Sequence, residues 1–115
     1  MLPRRHRLTS SRSFTTAVRS GRRVTAGRVT GHVWVPPVPP PTDEPAQVGL
    51  IVSKRVGTAV QRHRVSRILR HAAAAHVTEL PSGSVLILRA LPGSAERDSR
   101  LAADVATIID RVSGR

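Results

Sequence analysis

Between Ser53 and Arg70 the chain reads Ser-Lys-Arg-Val-Gly-Thr-Ala-Val-Gln-Arg-His-Arg-Val-Ser-Arg-Ile-Leu-Arg, with six cations and no acid. The spacing predicts a helix from about Ala59. At roughly 100° per residue, Val65, Ile68, Leu69 and Ala72 fall in one arc of about 100°. Arg62, His63, Arg64, Ser66, Arg67, Arg70 and His71 fill the opposite arc. The aliphatic stripe anchors such a helix on a core. Its other face carries four guanidinium groups whose mutual repulsion no nearby carboxylate relieves. That face calls for a polyanion.

The rest of the composition points the same way. A chain of 115 residues with 39% hydrophobic content makes one domain with a modest core and is too short for a multidomain enzyme. Its net charge of +12 is unevenly placed: residues 1–78 hold fourteen Lys and Arg against Asp43 and Glu44, while residues 79–115 hold five against five acids. A sequence pI near 12.0 on a small domain is the electrostatic footprint of a nucleic-acid binder. There are no cysteines, which excludes disulfides, thiolate catalysis and Cys-based zinc sites and fits a reducing, cytoplasmic setting. No apolar run approaches transmembrane length and no signal-peptide core precedes the domain, so no membrane partner is expected. Residues 1–23 have the acid-free, Arg- and Ser-rich composition of an organellar transit peptide, but the spacing of Arg7-Leu8, Phe14 and Gly21-Arg22-Arg23, taken up below, argues against its removal.

Along the chain, a basic N-terminal arm (residues 1–9) precedes a helix predicted from Ser10 or Ser11 to about Arg19, with Phe14, Ala17 and Val18 as its apolar side and Gly21 as its cap. From Val24 to Val35 the pattern alternates as one half-buried strand, with Val29, Gly31, Val33 and Val35 on one face and Arg28, Thr30, His32 and Trp34 on the other. The proline-rich stretch 36–45 cannot supply ladder donors and reads as a stiff loop. Gln47 to Lys54 is the next strand, Val85 to Leu88 a fully buried one, and Leu101, Val105, Ile108, Ile109 and Val112 recur at helical spacing. The order helix, strand, strand, helix, strand, helix implies a single α+β domain spanning 1–115, with helices over one face of a small sheet.

Five histidines invite a nuclease reading, but His71 and His76 are five apart, about 140° around a helix, and do not share a face. Asp43 and Glu44 sit in the proline loop, and no acids cluster to hold Mg²⁺. No catalytic and no metal-ligating residue is therefore assigned. Phe14 and Trp34 are the only aromatics, fewer than a stacking platform of the RNP type needs. Either is a core side chain or a base contact. A ribosomal or other structural RNA-binding protein, and a small His-dependent ribonuclease, remain the alternative readings.

The segment from Ser53 to Arg70 resembles the signature of the protein component of bacterial ribonuclease P, Ser-Lys-x-Val-Gly-x-Ala-Val-x-Arg-Asn-Arg-x-Lys-Arg-x-x-Arg, departing at His63 for Asn and Ser66 for Lys. Arg7-Leu8, Phe14 and Gly21-Arg22-Arg23 look like that family's N-terminal element; Val48-Gly49-Leu50 and Leu86 to Pro92 also fit. Val18 stands where a second aromatic is common, and His32 where a strand aromatic is. A cleft built this way stacks bases less and relies more on charge.

The resemblance implies an α-β sandwich of the ribosomal-protein-S5-domain-2-like type, with a left-handed βαβ crossover through the arginine helix. It implies that Lys54, Arg55, Arg62, His63, Arg64, Arg67 and Arg70 bind the RNA subunit, one protein per RNA. It places Phe14 and His32 in a cleft for the single-stranded 5′ leader of precursor tRNA, to which the strand alternation adds Arg28 and Trp34 as expected contacts. Hydrolysis then belongs to the RNA subunit and its Mg²⁺, with no cofactor held by the protein alone.

Overall fold

The computed structural model describes residues 2–113; Met1, Gly114 and Arg115 of the expected 1–115 domain lie outside the described residues. Helix α1 (Ser11–Ser20) leads into strands β1 (Arg22–Ala26), β2 (Val29–Trp34) and β3 (Gln47–Ile51). Helix α2 (Ala59–His76), strand β4 (Val85–Ala90) and helix α3 (Leu101–Val112) follow. The four strands form one mixed sheet in the order β1-β2-β4-β3. β1 pairs with β2 and β2 with β4 antiparallel, while β3 pairs with β4 parallel, so α2 is the crossover of a βαβ unit.

The expected single strand from Val24 to Val35 is instead a hairpin. Ala26 pairs with Val29 across a two-residue turn in which Gly27 adopts φ +54°. The core-facing residues switch from even positions (Val24, Ala26) to odd ones (Val29, Val33) across that turn, which a continuous strand cannot do. Gly21 closes α1 in an extended conformation (φ −78°), not a left-handed one. It must be glycine because a Cβ there would come within 2.6 Å of the Val33 carbonyl oxygen, where α1 is pressed against β2.

The helices also do not share one face. α2 and α3 cover one side of the sheet, burying Val65, Leu69, Ala72, Leu101, Val105, Ile108 and Ile109 against Val29, Val33, Val48, Leu86 and Leu88. α1 covers part of the other side, where Ala17, Val85 and Ile87 form a second, smaller cluster. This explains why β4 is an unbroken aliphatic run: it is central, and apolar groups meet it on both faces.

The N-terminal segment is built into the fold. Leu2 is 2% exposed in the main core, and the buried His6 donates its Nδ1–H to the Ala46 carbonyl at 2.7 Å. Leu8 N–H donates to the Val48 carbonyl at 3.0 Å, so the segment runs along the outer edge of β3 and shields it.

Candidate nucleic-acid interface

Two surfaces hold the residues singled out from sequence. The first is α2 and the turn before it. After β3, Lys54–Val56 form a single 3-10 turn plugged into the core by Val56, with Lys54 and Arg55 exposed. Gly57 then takes φ +153°, a region that a side chain rarely adopts, and a Cβ there would press on the Gln61 side chain. That conformation lets a reciprocal cap close: Gln61 N–H donates to Thr58 Oγ1 at 3.2 Å, and Thr58 N–H donates to Gln61 Oε1 at 2.8 Å. The Thr-x-x-Gln spacing is the sequence trace of this cap, which the charge and stripe pattern of the helix does not bring out.

The aliphatic stripe falls where the periodicity placed it, with Val65, Leu69, Ala72 and Ala73 buried and Ile68 partly so. His63, Arg64, Arg67, Arg70 and His71 are exposed. Arg62 and Arg64 stand at the two margins of the cationic arc, about 20° and 40° from the nearest stripe residues. This explains their difference from Arg67 and Arg70. Arg62 is half-buried with a buried Nε that has no hydrogen-bond partner among the described residues, and Arg64 Nη2 donates to the Ala95 carbonyl at 2.6 Å. Among the described residues, none of the six cations of this segment forms an ion pair. Val60, 80% exposed, lies in the middle of the same face, beside His63, Arg64 and Arg67.

The second surface is the sheet face under α1. Register puts Arg23 opposite His32, Thr30 opposite Arg89, His32 opposite Ile87 and Trp34 opposite Val85. Phe14 and Trp34 are both half-buried and pack with Leu8, Val18 and Ile51 on the small cluster. His32 is 7% exposed, and its buried Nε2 has no hydrogen-bond partner among the described residues. Burial, and then the charges of Arg89 and Arg23, hold its pKa below the ordinary imidazole value. Arg23 and Arg89 were not singled out from sequence. Alternation along the expected single strand does not reveal them: only the hairpin register brings Arg23 onto the face of His32, and only the pairing of β2 with β4 brings Arg89 there.

Phe14, His32 and Trp34 therefore come together, but Arg28 does not join them. It sits in the hairpin turn, turned toward the 91–100 loop. Its Nη1 donates to Asp98 Oδ1 at 2.7 Å and to the Gly93 carbonyl at 2.9 Å, and its Nη2 donates to Asp98 Oδ2 at 3.2 Å. The hydrogen bond to Asp98 raises the Arg28 pKa, and Arg28 in turn holds the Asp98 carboxyl below its usual range. Its assignment to the cleft is corrected: the hairpin turn removes it from the strand face on which continuous alternation had placed it.

The Phe14, His32 and Trp34 surface and α2 lie on opposite faces of the sheet. Ile51 ends β3 opposite Arg89 of β4, and Lys54 and Arg55 follow directly. Among the described residues, no three His, Asp or Glu side chains come together as metal ligands.

The fold and these surfaces define a small basic α+β domain with two cationic faces suited to a polyanion. The sequence profile of the Ribonuclease P family matches residues 2–113. The chain belongs to that family. It is 44% identical over 113 residues to the ribonuclease P protein component of Nocardioides sp., covering 97% of this chain and 95% of that one. It is 42% identical over 113 residues to that of Mycobacterium avium, with the same coverage of 97% and 95%. The solved ribonuclease P protein of Thermotoga maritima has the same fold, with TM-score 0.74 at 16% identity, over 96% of this chain and 100% of that one. That of Staphylococcus aureus gives TM-score 0.69 at 18% identity, over 93% and 91%.

Proposed function

We propose that this chain is the protein subunit of ribonuclease P in the cytoplasm, binding one catalytic RNA and helping it remove the 5′ leader of precursor tRNA. The exposed face of α2 holds phosphates of the RNA subunit through Arg64, Arg67 and Arg70, with Lys54, Arg55 and His63 extending the contact. Phe14, Trp34 and His32, flanked by Arg23 and Arg89, receive the unpaired leader by partial stacking and charge. Hydrolysis belongs to the RNA subunit with its Mg²⁺. We assign no Mg²⁺ to this chain's own side chains: Asp98 is paired with Arg28, and among the described residues no three His, Asp or Glu side chains cluster.

The observation that carries this reading is the signature helix, whose Arg64, Arg67 and Arg70 are exposed and free of carboxylate partners among the described residues. Unpaired arginines on a rigid helix are an arrangement completed by phosphate. The protein's part is to neutralise charge that would otherwise demand more Mg²⁺ and to hold substrate in register. The test combines purified protein with a bacterial ribonuclease P RNA at low Mg²⁺ and follows leader removal from precursor tRNA. Protein alone should be inactive, and protein with RNA active where RNA alone is slow. Leader cleavage by protein alone would point to the nuclease reading. Failure to rescue, with co-sedimentation on ribosomal subunits, would point to the ribosomal one.

A further inference from the structure

The 91–100 loop between β4 and α3 has no regular structure, yet it is fixed at both ends of a short relay. On one side stands the hairpin turn. The Leu91 N–H donates to the Arg28 carbonyl at 2.9 Å, the Arg28 N–H donates to Asp104 Oδ2 at 3.1 Å, and the Arg28 guanidinium holds the Gly93 carbonyl and Asp98. Gly93, at φ +93°, lets the loop pass against that side chain, and the Glu96 N–H donates to the Gly93 carbonyl at 3.1 Å. On the other side, Ala95 presents its carbonyl to Arg64 of α2.

We infer that Arg28 is a positioning residue for the RNA-binding face of α2: by clamping residues 93–98 it aims the Ala95 carbonyl that holds the Arg64 guanidinium in place for phosphate. The inference rests on the reading of α2 as the RNA contact. Arg64 stands one turn from Arg67 and carries the same charge, so an untethered side chain would swing away from its neighbour. A neutral carbonyl restrains it without cancelling its charge, and leaves four of its five N–H donors free. Pre-ordering a long side chain reduces the entropy lost when phosphate arrives. Arg28 has a second effect, because Glu96 and Asp98 flank Ala95 on the same loop. Asp98 at 2.7 Å and Glu96 at 3.7 Å from Arg28 Nη1 are occupied there instead of competing with RNA for Arg64.

The experiment measures affinity for a bacterial ribonuclease P RNA, and its salt dependence, for Arg28→Ala, Arg64→Ala and the double variant. Arg28→Ala should weaken binding about two- to tenfold. The double variant should bind no more weakly than Arg64→Ala alone, and with the same salt slope. In the holoenzyme, the preference of Arg28→Ala for leader-bearing over leaderless tRNA should be unchanged. Additive losses, or full affinity in Arg28→Ala while Arg64→Ala is weakened, would overturn the relay. A loss confined to leader-bearing substrate would return Arg28 to the cleft. No effect of Arg64→Ala would remove Arg64 from the RNA contact and the relay with it, while the low-Mg²⁺ cleavage assay tests the broader function separately. If Arg28→Ala misfolds, Asp98→Ala replaces it, since that side chain is 73% exposed and the turn's own bonds run to Asp104 and Leu91. It should show a smaller loss that Arg64→Ala again abolishes, and unchanged affinity would overturn the proposal.

Discussion

His32 combines burial with two arginine neighbours, and that gives the protein a pH signature. Its folded-state pKa is lowered from the ordinary value of 6.5, so as pH falls below that value the unfolded chain takes up the proton first. Stability from this group is therefore complete above the ordinary value and is lost as pH falls toward the lower, folded-state value. Denaturant midpoints measured from about pH 8 to about pH 5 should show the wild type losing stability relative to His32→Gln in the lower half of that range. Parallel curves would mean that the imidazole is solvated in solution. Gly57 is the other telling residue. Alanine there meets both a disfavoured φ of +153° and the Gln61 side chain, and should cost about 1–3 kcal/mol in denaturant titrations. The glycine was legible as part of a motif, but its reason was not, because the capping box it serves involves positions the motif leaves unspecified. Arg28 was misplaced for a similar cause: its partners Asp98 and Asp104 lie 70 and 76 residues away, and no local pattern announces them.

Among the elements, α2 was the most legible, since its stripe and charged arc are properties of one helix read in one window. Val65, Leu69 and Ala72 are buried as the spacing requires. The side of the sheet that each helix covers was not legible, because α1, α2 and α3 each show only one apolar stripe and the sequence does not say which layer receives it. The N-terminal segment was read as an arm for its arginines, yet Leu2 and His6 are its buried anchors. Leu2→Ala should therefore destabilise the fold by about 2 kcal/mol or more, which thermal unfolding would reveal, whereas a loose arm would tolerate it without change. On α2 the expectation is the reverse. Arg67→Ala and Arg70→Ala should leave the unfolding midpoint nearly unchanged. Each should flatten the log–log salt dependence of binding to the RNA subunit by about 0.7 to 0.9 for every phosphate it no longer neutralises. Lost stability with unchanged RNA affinity per folded molecule would make these arginines structural.

At the scale of the whole molecule, the sheet separates the two surfaces to which the proposed function gives different jobs. α2 and its arginines stand on one face and Phe14, His32 and Trp34 on the other, with Lys54 and Arg55 three and four residues beyond Ile51, which pairs with Arg89. The two faces should therefore be separable by mutation. Trp34→Ala or Phe14→Ala should weaken holoenzyme binding of leader-bearing precursor tRNA, since a stacked base contributes about 1 to 3 kcal/mol, while leaderless tRNA binds as before. Arg67→Ala should instead lower assembly with the RNA subunit and leave the ratio between the two substrates intact. Both aromatics also pack on the small cluster beneath α1, so circular dichroism and a thermal midpoint must accompany each binding curve. Affinity per folded molecule that falls equally for both substrates would mean that the aromatics only brace α1 against the sheet. The leader would then depend on the charges of Arg23 and Arg89, and the same comparison repeated with Arg89→Ala would detect that dependence as a loss confined to leader-bearing substrate.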